Sequence, residues 1–308
     1  MNDSEINALQ ARLEHFDNNG YHIVAMIGTA QSGKSSIICD MYTHFSLGSK
    51  RCAETINIGQ MSQSDSTAWA QLYEDYRSKK QVVRTGADPF FVAMNASTES
   101  GTIKVAFLEV QGEMFEGLRD PAMGFGGDEV ADGEDKYFRS IQSKRPITWL
   151  IVGNFESRSI ANKRLNEDAI LQITLDTLRS KRSTTLLERD NFLFILSKCD
   201  QLGPELGKNL NFNLKNLVRQ RYPVTCNFLD SQPFKSRKFT HYTVGTFSPD
   251  GDKVESADDK NPRQIWNYLF EKALGESIYR DLVKPPPPPF WIKLLRKLAP
   301  AYAKSKYQ

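Results

Sequence analysis

Gly28 and Gly33 bracket four residues, and Gly33 is followed directly by Lys34 and Ser35. Glycine at both ends lets the backbone fold back, so that consecutive N–H groups and the start of the next helix converge on one anion. A lysine there supplies a cation to the outer groups of a phosphate chain. A serine hydroxyl is a hard oxygen ligand for the Mg²⁺ that accompanies such a chain. The spacing is that of a phosphate-binding loop, with Gly28, Ala30, Gln31, Ser32, Gly33, Lys34, Ser35 and Ser36 as candidate contacts. Two further polar clusters stand at the ends of apolar runs. In EVQGE, Glu109 precedes Gly112 by three residues. In SKCD, Ser197, Lys198 and Asp200 form a polar turn.

Each cluster needs an element to aim it, and each follows an apolar run. Ile23 to Ile27 reads as a strand buried on both faces, and Ser36, Ile37, Ile38 and Met41 carry a helix away from the loop. Residues 89–97 and 102–110 are β-rich runs around the turn TESG and predict an antiparallel hairpin ending in Glu109. Residues 147–155 and 192–196 are buried strands, the second running into SKCD. Ile6, Leu9, Leu13 and Phe16 predict an amphipathic helix over residues 1–19 that packs on the body. Helices are also expected near 66–80, 162–180, 208–221 and 262–274, a strand at 241–247 and a loop over 117–146. The alternation predicts an α/β three-layer sandwich over residues 20–284. Its sheet is mostly parallel with one antiparallel hairpin strand.

Hydrophobic content of 40% and charged content of 25% over 308 residues are those of an ordinary soluble globular protein. No apolar run approaches a membrane span, and MNDSEINALQ has no basic start or apolar stretch of a signal peptide, which points to a cytoplasmic protein. Cys39, Cys52, Cys199 and Cys226 lack C-x-x-C spacing and read as reduced thiols. Net charge is +3, but from Pro285 onward the chain has five Lys and Arg and no acid, which leaves −2 for the rest. The basic balance is therefore not a nucleic-acid footprint on the body. Pro285 to Pro289 form a stiff spacer, roughly 15 Å at about 3.1 Å per residue. Beyond it Trp291, Leu294, Leu295 and Leu298, with Lys293, Arg296 and Lys297 between them, predict a basic amphipathic helix that Pro300 ends. The organisation expected is a helix over 1–19, a nucleotide domain over 20–284, and a spacer with tail helix over 285–308.

With GTAQSGKS at 28–35, EVQGE at 109–113 and SKCD at 197–200 in this order, each at a strand end, the chain resembles the Ras-like and translation-factor-like P-loop GTPases over about residues 20–280. The resemblance implies GTP and GDP as ligands, Mg²⁺ as cofactor and hydrolysis of GTP. It implies that Glu109, behind a phosphate-binding loop, would hold the Mg²⁺ shell through water while the Gly112 N–H faces the terminal phosphate. It implies that SKCD reads guanine. Asp200 would accept from both N1–H and the 2-amino group, which adenine does not offer, while the Lys198 stem lies over the ring. Ser197 stands where the family has Asn or Thr, which weakens a loop-bridging hydrogen bond; Glu109 stands where it has Asp, one methylene shorter. The family's water-positioning glutamine falls on Glu113, so hydrolysis is expected to be slow or to use another group such as Gln111. The threonine that senses the γ-phosphate and Mg²⁺ is assigned to Thr85, with Thr55 and Thr67 as alternatives. The long loop after EVQGE and the insert before the hairpin are similar to divergent bacterial GTPase-like proteins of conflict and defence contexts, including the double-GTPase type.

The function so implied is a molecular switch. Segments 46–88 and 113–135 would order around the γ-phosphate and present a surface to a protein partner. Two other readings stay open: a nucleotide-binding scaffold with little hydrolysis, motivated by Glu109 and Glu113, and a P-loop kinase, which accounts for Lys34 and Ser35 but not for SKCD. The tail helix, about 290–299, has three available fates: packing on the body, docking in a partner's groove, or weak contact with an anionic membrane surface.

Overall fold

The β-branched and aromatic runs bury themselves in one seven-stranded sheet. In chain order its strands are β1 (His22–Ile27), β2 (Thr55–Ile58), β3 (Phe90–Thr98), β4 (Gly101–Glu109), β5 (Thr148–Asn154), β6 (Asn191–Ser197) and β7 (Ser236–His241). Across the sheet they run β2-β3-β4-β1-β5-β6-β7. The computed structural model describes residues 3–46, 55–78, 89–98, 101–110, 112, 115, 137–138, 140–155, 166–199, 210–232, 234, 236–243, 245–247, 254–257 and 260–274. β3 pairs antiparallel with both β4 and β2, and the other pairings are parallel, so β3 alone runs against the rest.

The helices are α1 (Asp3–Asn18), α2 (Lys34–Ser46), α3 (Gln63–Arg77), α4 (Glu167–Lys181), α5 (Thr184–Leu187), α6 (Leu210–Arg221), α7 (Pro223–Ser231) and α8 (Lys260–Leu274). Strand residues alternate between two faces, so Ile23, Ala25 and Ile27 meet Leu9, Leu13 and Phe16 of α1 and Ile170, Leu171 and Leu175 of α4. Val24 and Met26 turn the other way, toward Ile37, Ile38 and Met41 of α2, Trp69 of α3, and Ile265, Trp266 and Leu269 of α8. The result is a three-layer α/β sandwich. None of the described helices is long and apolar enough to cross a membrane.

This order puts β1 at a switch point, with β4 on one side and β5 on the other. The C-terminal ends of β1, β4, β5 and β6 share one sheet edge, where open α/β sheets bind ligands. The opposite edge is held by a buried ion pair. Arg182 donates to both oxygens of Asp190, through Nη2 at 2.8 Å to Oδ1 and through a shorter bond from Nε to Oδ2. Asp190 also accepts from Ile147 N at 2.9 Å and Trp149 Nε1 at 2.8 Å, where β5 begins.

Several elements differ from the sequence expectation. The strand expected at 241–247 is instead β7, five residues earlier, followed by a separate strand β8 (Gly245–Phe247) paired with β9 (Val254–Ala257) outside the main sheet. β7 reads SRKFTH, an edge strand too polar to show an apolar run. β2 lies unannounced in the polar stretch after α2, and only Ile56 of it is buried. α3 starts and ends three residues before the expected helix because Ser62 caps it, its Oγ accepting from Asp65 N at 3.1 Å. α7 was absent from the expectation although Pro223 stands at its first position, where proline suits a helix. The tail 285–308 and segment 116–136 lie outside the described residues.

Candidate nucleotide-binding site

β1 ends at Ile27 and α2 begins at Lys34, so Gly28 to Gly33 form the turn between the central strand and its helix. Gln31 (φ 58°) and Gly33 (φ 94°) hold left-handed backbone. For a glutamine that conformation costs on the order of 1–2 kcal/mol and persists only where the surroundings impose it. They do so here. A Cβ on Gly28 would lie 2.7 Å from the Val152 carbonyl of β5, and Thr29, buried, donates through Oγ1 to Glu167 at 2.7 Å. Ser32 N donates to Thr29 O at 3.3 Å and Ile37 N to Gly33 O at 3.0 Å. The buried Lys34 ammonium donates to Gly28 O at 2.8 Å and Thr29 O at 3.0 Å, which ties the cation to the turn. Gln31 is exposed at the crest, with Ala30 and, in the first turn of α2, Ser35 and Ser36 partly so.

β4 pairs with β1 so that Ala25 faces Leu108, which brings Glu109 level with the end of β1. Ser35 Oγ donates to Glu109 Oε1 at 2.6 Å. The side chain one methylene longer than aspartate thus reaches the serine. The serine hydroxyl and the carboxylate are hard oxygen donors of the kind Mg²⁺ takes beside waters and phosphate oxygens, with the acid one water away from the metal. Such a site needs no cluster of three or more His, Cys, Asp or Glu, and the described residues contain none. Gly112 rests on the loop itself: a Cβ there would lie 2.1 Å from Ala30 N and 2.3 Å from Thr29 C.

The structure places two of the three candidate threonines. Phe90 faces Glu109, so chain entering β3 arrives at the site edge, and Thr85 is five residues upstream of Phe90. Thr55 faces Ser97 at the far end of the sheet, and Thr67 donates to Gln63 O at 2.9 Å within α3. Neither alternative is placed at the loop. Thr85, Gln111, Glu113 and Asp200 lie outside the described residues.

On the other side of the loop β6 delivers Ser197, whose hydroxyl donates to the Gly153 carbonyl of β5 at 3.1 Å. A Cβ on Gly33 would lie 4.0 Å from Ser197 Cβ, so the SKCD turn adjoins the phosphate loop. Lys198 has left-handed backbone (φ 56°), and Cys199 N donates to Tyr242 O at 3.2 Å. Tyr242 in turn donates through its hydroxyl to Asp40 of α2, which also accepts from Tyr76 at 3.2 Å. The turn at Ser197–Cys199 and helix α2 are thereby tied through one tyrosine.

Sequence reasoning missed Glu167. It follows the helix cap Asn166, whose Oδ1 accepts from Ala169 N at 2.9 Å, and reads as an ordinary first-turn acid. Nothing local marks it as buried. Its contacts come from Thr29, Asn154 and Tyr222, each distant in sequence.

A mostly parallel sheet with a phosphate loop leaving its central strand, and a serine–carboxylate pair at the adjacent strand end, define the P-loop nucleotide-binding α/β fold. The antiparallel β3 is the strand that the GTPase resemblance expects. No protein-family model and no curated protein matches the chain. Among solved structures, a dimerization-deficient mutant of Toc33 from Arabidopsis thaliana aligns at 10% identity and TM-score 0.39, over 89% of this chain and 92% of that one. Toc33 in complex with Mg²⁺ and GMPPNP aligns at 11% identity and TM-score 0.38, over 89% and 97%. Roco2 RocCORdC of Methanosarcina barkeri, bound to GDP, aligns at 12% identity and TM-score 0.36, over 83% of this chain and 50% of that one. The strand order and the loop, not these similarities, define the fold.

Proposed function

We propose that the chain binds GTP and GDP with Mg²⁺ and hydrolyses GTP slowly, as a cytoplasmic molecular switch for a protein partner. The observation that carries this reading is the meeting, at one sheet edge, of the Lys34 loop, the Ser35–Glu109 pair and the turn at Ser197. Lys34 and the loop N–H groups would receive the β and γ phosphates. Ser35 and Glu109 would hold Mg²⁺, with Thr85 supplied by the chain entering β3. When bound, the metal would neutralise charge on the phosphates. Asp200 would select guanine, and Glu113 or Gln111 would orient water. Segments 46–88 and 113–135 would carry the partner surface, with the tail helix near 290–299 as a second docking element.

Phosphate release from GTP with Mg²⁺, under single and multiple turnover, tests the enzymatic part. Slow release that depends on Mg²⁺ and is lost in Glu109→Ala is expected. Tight GTP binding without release would favour a nucleotide-dependent scaffold, the reading that Glu113 at the water-positioning place supports. Absence of both binding and release would refute the proposal.

A further inference from the structure

Behind the phosphate loop, three distant parts of the chain close on one carboxyl group. Glu167 opens α4 and is 3% exposed. Thr29 Oγ1 donates to its Oε1 at 2.7 Å, and Asn154 N, at the end of β5, lies 3.3 Å from each oxygen. Tyr222, between α6 and α7, has its hydroxyl oxygen 2.5 Å from Asn154 O and 2.7 Å from Glu167 Oε2. A tyrosine hydroxyl has one proton to donate, and a backbone carbonyl can only accept. For both close contacts to be hydrogen bonds, the tyrosine proton must lie toward Asn154 O. The contact with Oε2 then needs a proton from the carboxyl group, because an ionised Glu167 leaves one of the two close oxygen pairs with no hydrogen between them.

We propose that Glu167 is a neutral carboxylic acid that positions the phosphate loop, donating from Oε2 to Tyr222 and accepting from Thr29, and that nucleotide binding requires this neutral state. The nucleotide half rests on the function proposed above. The protonation does not.

The surroundings agree. Burial pushes the Glu167 carboxyl up, opposed by the bonds from Thr29 and Asn154 and by the Lys34 ammonium; a Tyr222 hydroxyl that donated to Oε2 would oppose it as well, and one that accepts from Oε2 does not. Tyr222 is pushed above its usual range by burial first, so its hydroxyl keeps its proton, with Asp168 adding to this and Arg221 opposing it. Among the described residues, the charged groups facing the cluster are thus Lys34 from α2, Asp168 from α4 and Arg221 from α6. Asp168 is committed elsewhere, accepting from Val224 N and Thr225 N at 2.9 Å each at the start of α7. A carboxyl held above its unfolded range binds its proton more tightly when folded. The stabilisation it gives is complete below the ordinary carboxyl range and is lost as pH rises through the folded value. Nucleotide affinity falls in the same direction, because ionisation sets a negative charge beneath the loop that receives phosphates.

Glu167→Gln tests this, since the amide reproduces the neutral acid: Oε1 accepts from Thr29 and Asn154, and Nε2 donates to Tyr222. Infrared difference spectra of wild type against this variant near neutral pH should show the carbonyl band of a protonated carboxylic acid; its absence overturns the proposal. Melting of Glu167→Gln should match wild type at acid pH and lack the loss that wild type shows as pH rises; a melting temperature far below wild type at acid pH also overturns it. In titrations across pH, wild-type GTP affinity should fall by up to about tenfold per pH unit above the ionisation. It should be flat in Glu167→Gln, and the weakening in Glu167→Ala should be rescued by glutamine. A wild-type affinity independent of pH overturns the nucleotide half. If no GTP binds at any pH, the functional reading has failed, and the infrared and melting results still decide the protonation of Glu167.

Discussion

Gly112→Ala is the substitution whose consequence the geometry fixes most closely. The added methyl carbon would stand 2.1 Å from Ala30 N, 2.3 Å from Thr29 C and 2.4 Å from Ala30 Cα, all backbone atoms with no rotamer to yield. Ordinary contact begins near 3.4 Å, so the two chains must part by more than an ångström. The loop side is braced: Gly28 is wedged on Val152 and Thr29 is bonded to Glu167. The displacement therefore falls on the Gly112 side and carries its N–H away from the place proposed for the γ-phosphate. A misplacement of this size costs about 10²-fold in rate, and overpacking that can relax by such a shift costs about 1 kcal/mol of stability. Single-turnover phosphate release should drop about a hundredfold, GTP affinity should fall toward that of GDP, and GDP affinity and melting should stay close to wild type. A variant with wild-type release and wild-type preference for GTP over GDP would refute the placement of Gly112 at the terminal phosphate.

Lys34→Ala removes the cation at the turn; with charged hydrogen bonds worth about 1.5–3 kcal/mol, the loss in GTP affinity should be on the order of a hundredfold by calorimetry, and a change within a few-fold would remove Lys34 from the phosphate site. Asp200→Asn should move preference from guanine to xanthine nucleotides, because the amide offers one donor and one acceptor where the carboxylate offered two acceptors; unchanged GTP affinity would make SKCD an ordinary turn. Arg182→Ala strands a buried Asp190 and should cost about 3–5 kcal/mol in denaturant unfolding. Because that pair lies at the sheet edge opposite Asn154, GTP affinity at low temperature should be unchanged, and a loss of affinity with stability intact would contradict the separation of core from site.

The parts of the fold that depend on local pattern were legible in the sequence. Ile23 to Ile27, the hairpin runs and Phe192 to Leu196 are apolar because they are buried on both faces, and they became β1, β3, β4 and β6. The polar edge strands β2 and β7 have one face toward water and pair through backbone, which no side-chain pattern announces. The same division holds at the site. Gly28, Gly33, Lys34, Ser35 and Glu109 follow from chemistry at fixed spacing, and the structure brings the loop and the acid together. Glu167 is set by packing among residues far apart in sequence, and the distance of Thr55 from the loop is set by strand register.

The central claim is a Mg²⁺-dependent site for guanine nucleotides at the Lys34 loop. Calorimetric titration of the whole chain with GTP, GDP and ATP, each with Mg²⁺ and with a chelator, tests it most directly. Binding of GTP and GDP, with GTP the more dependent on Mg²⁺ and ATP giving no saturable heat, is the predicted result. Equal binding of ATP and GTP, or binding of GTP unchanged by removal of Mg²⁺, would contradict it.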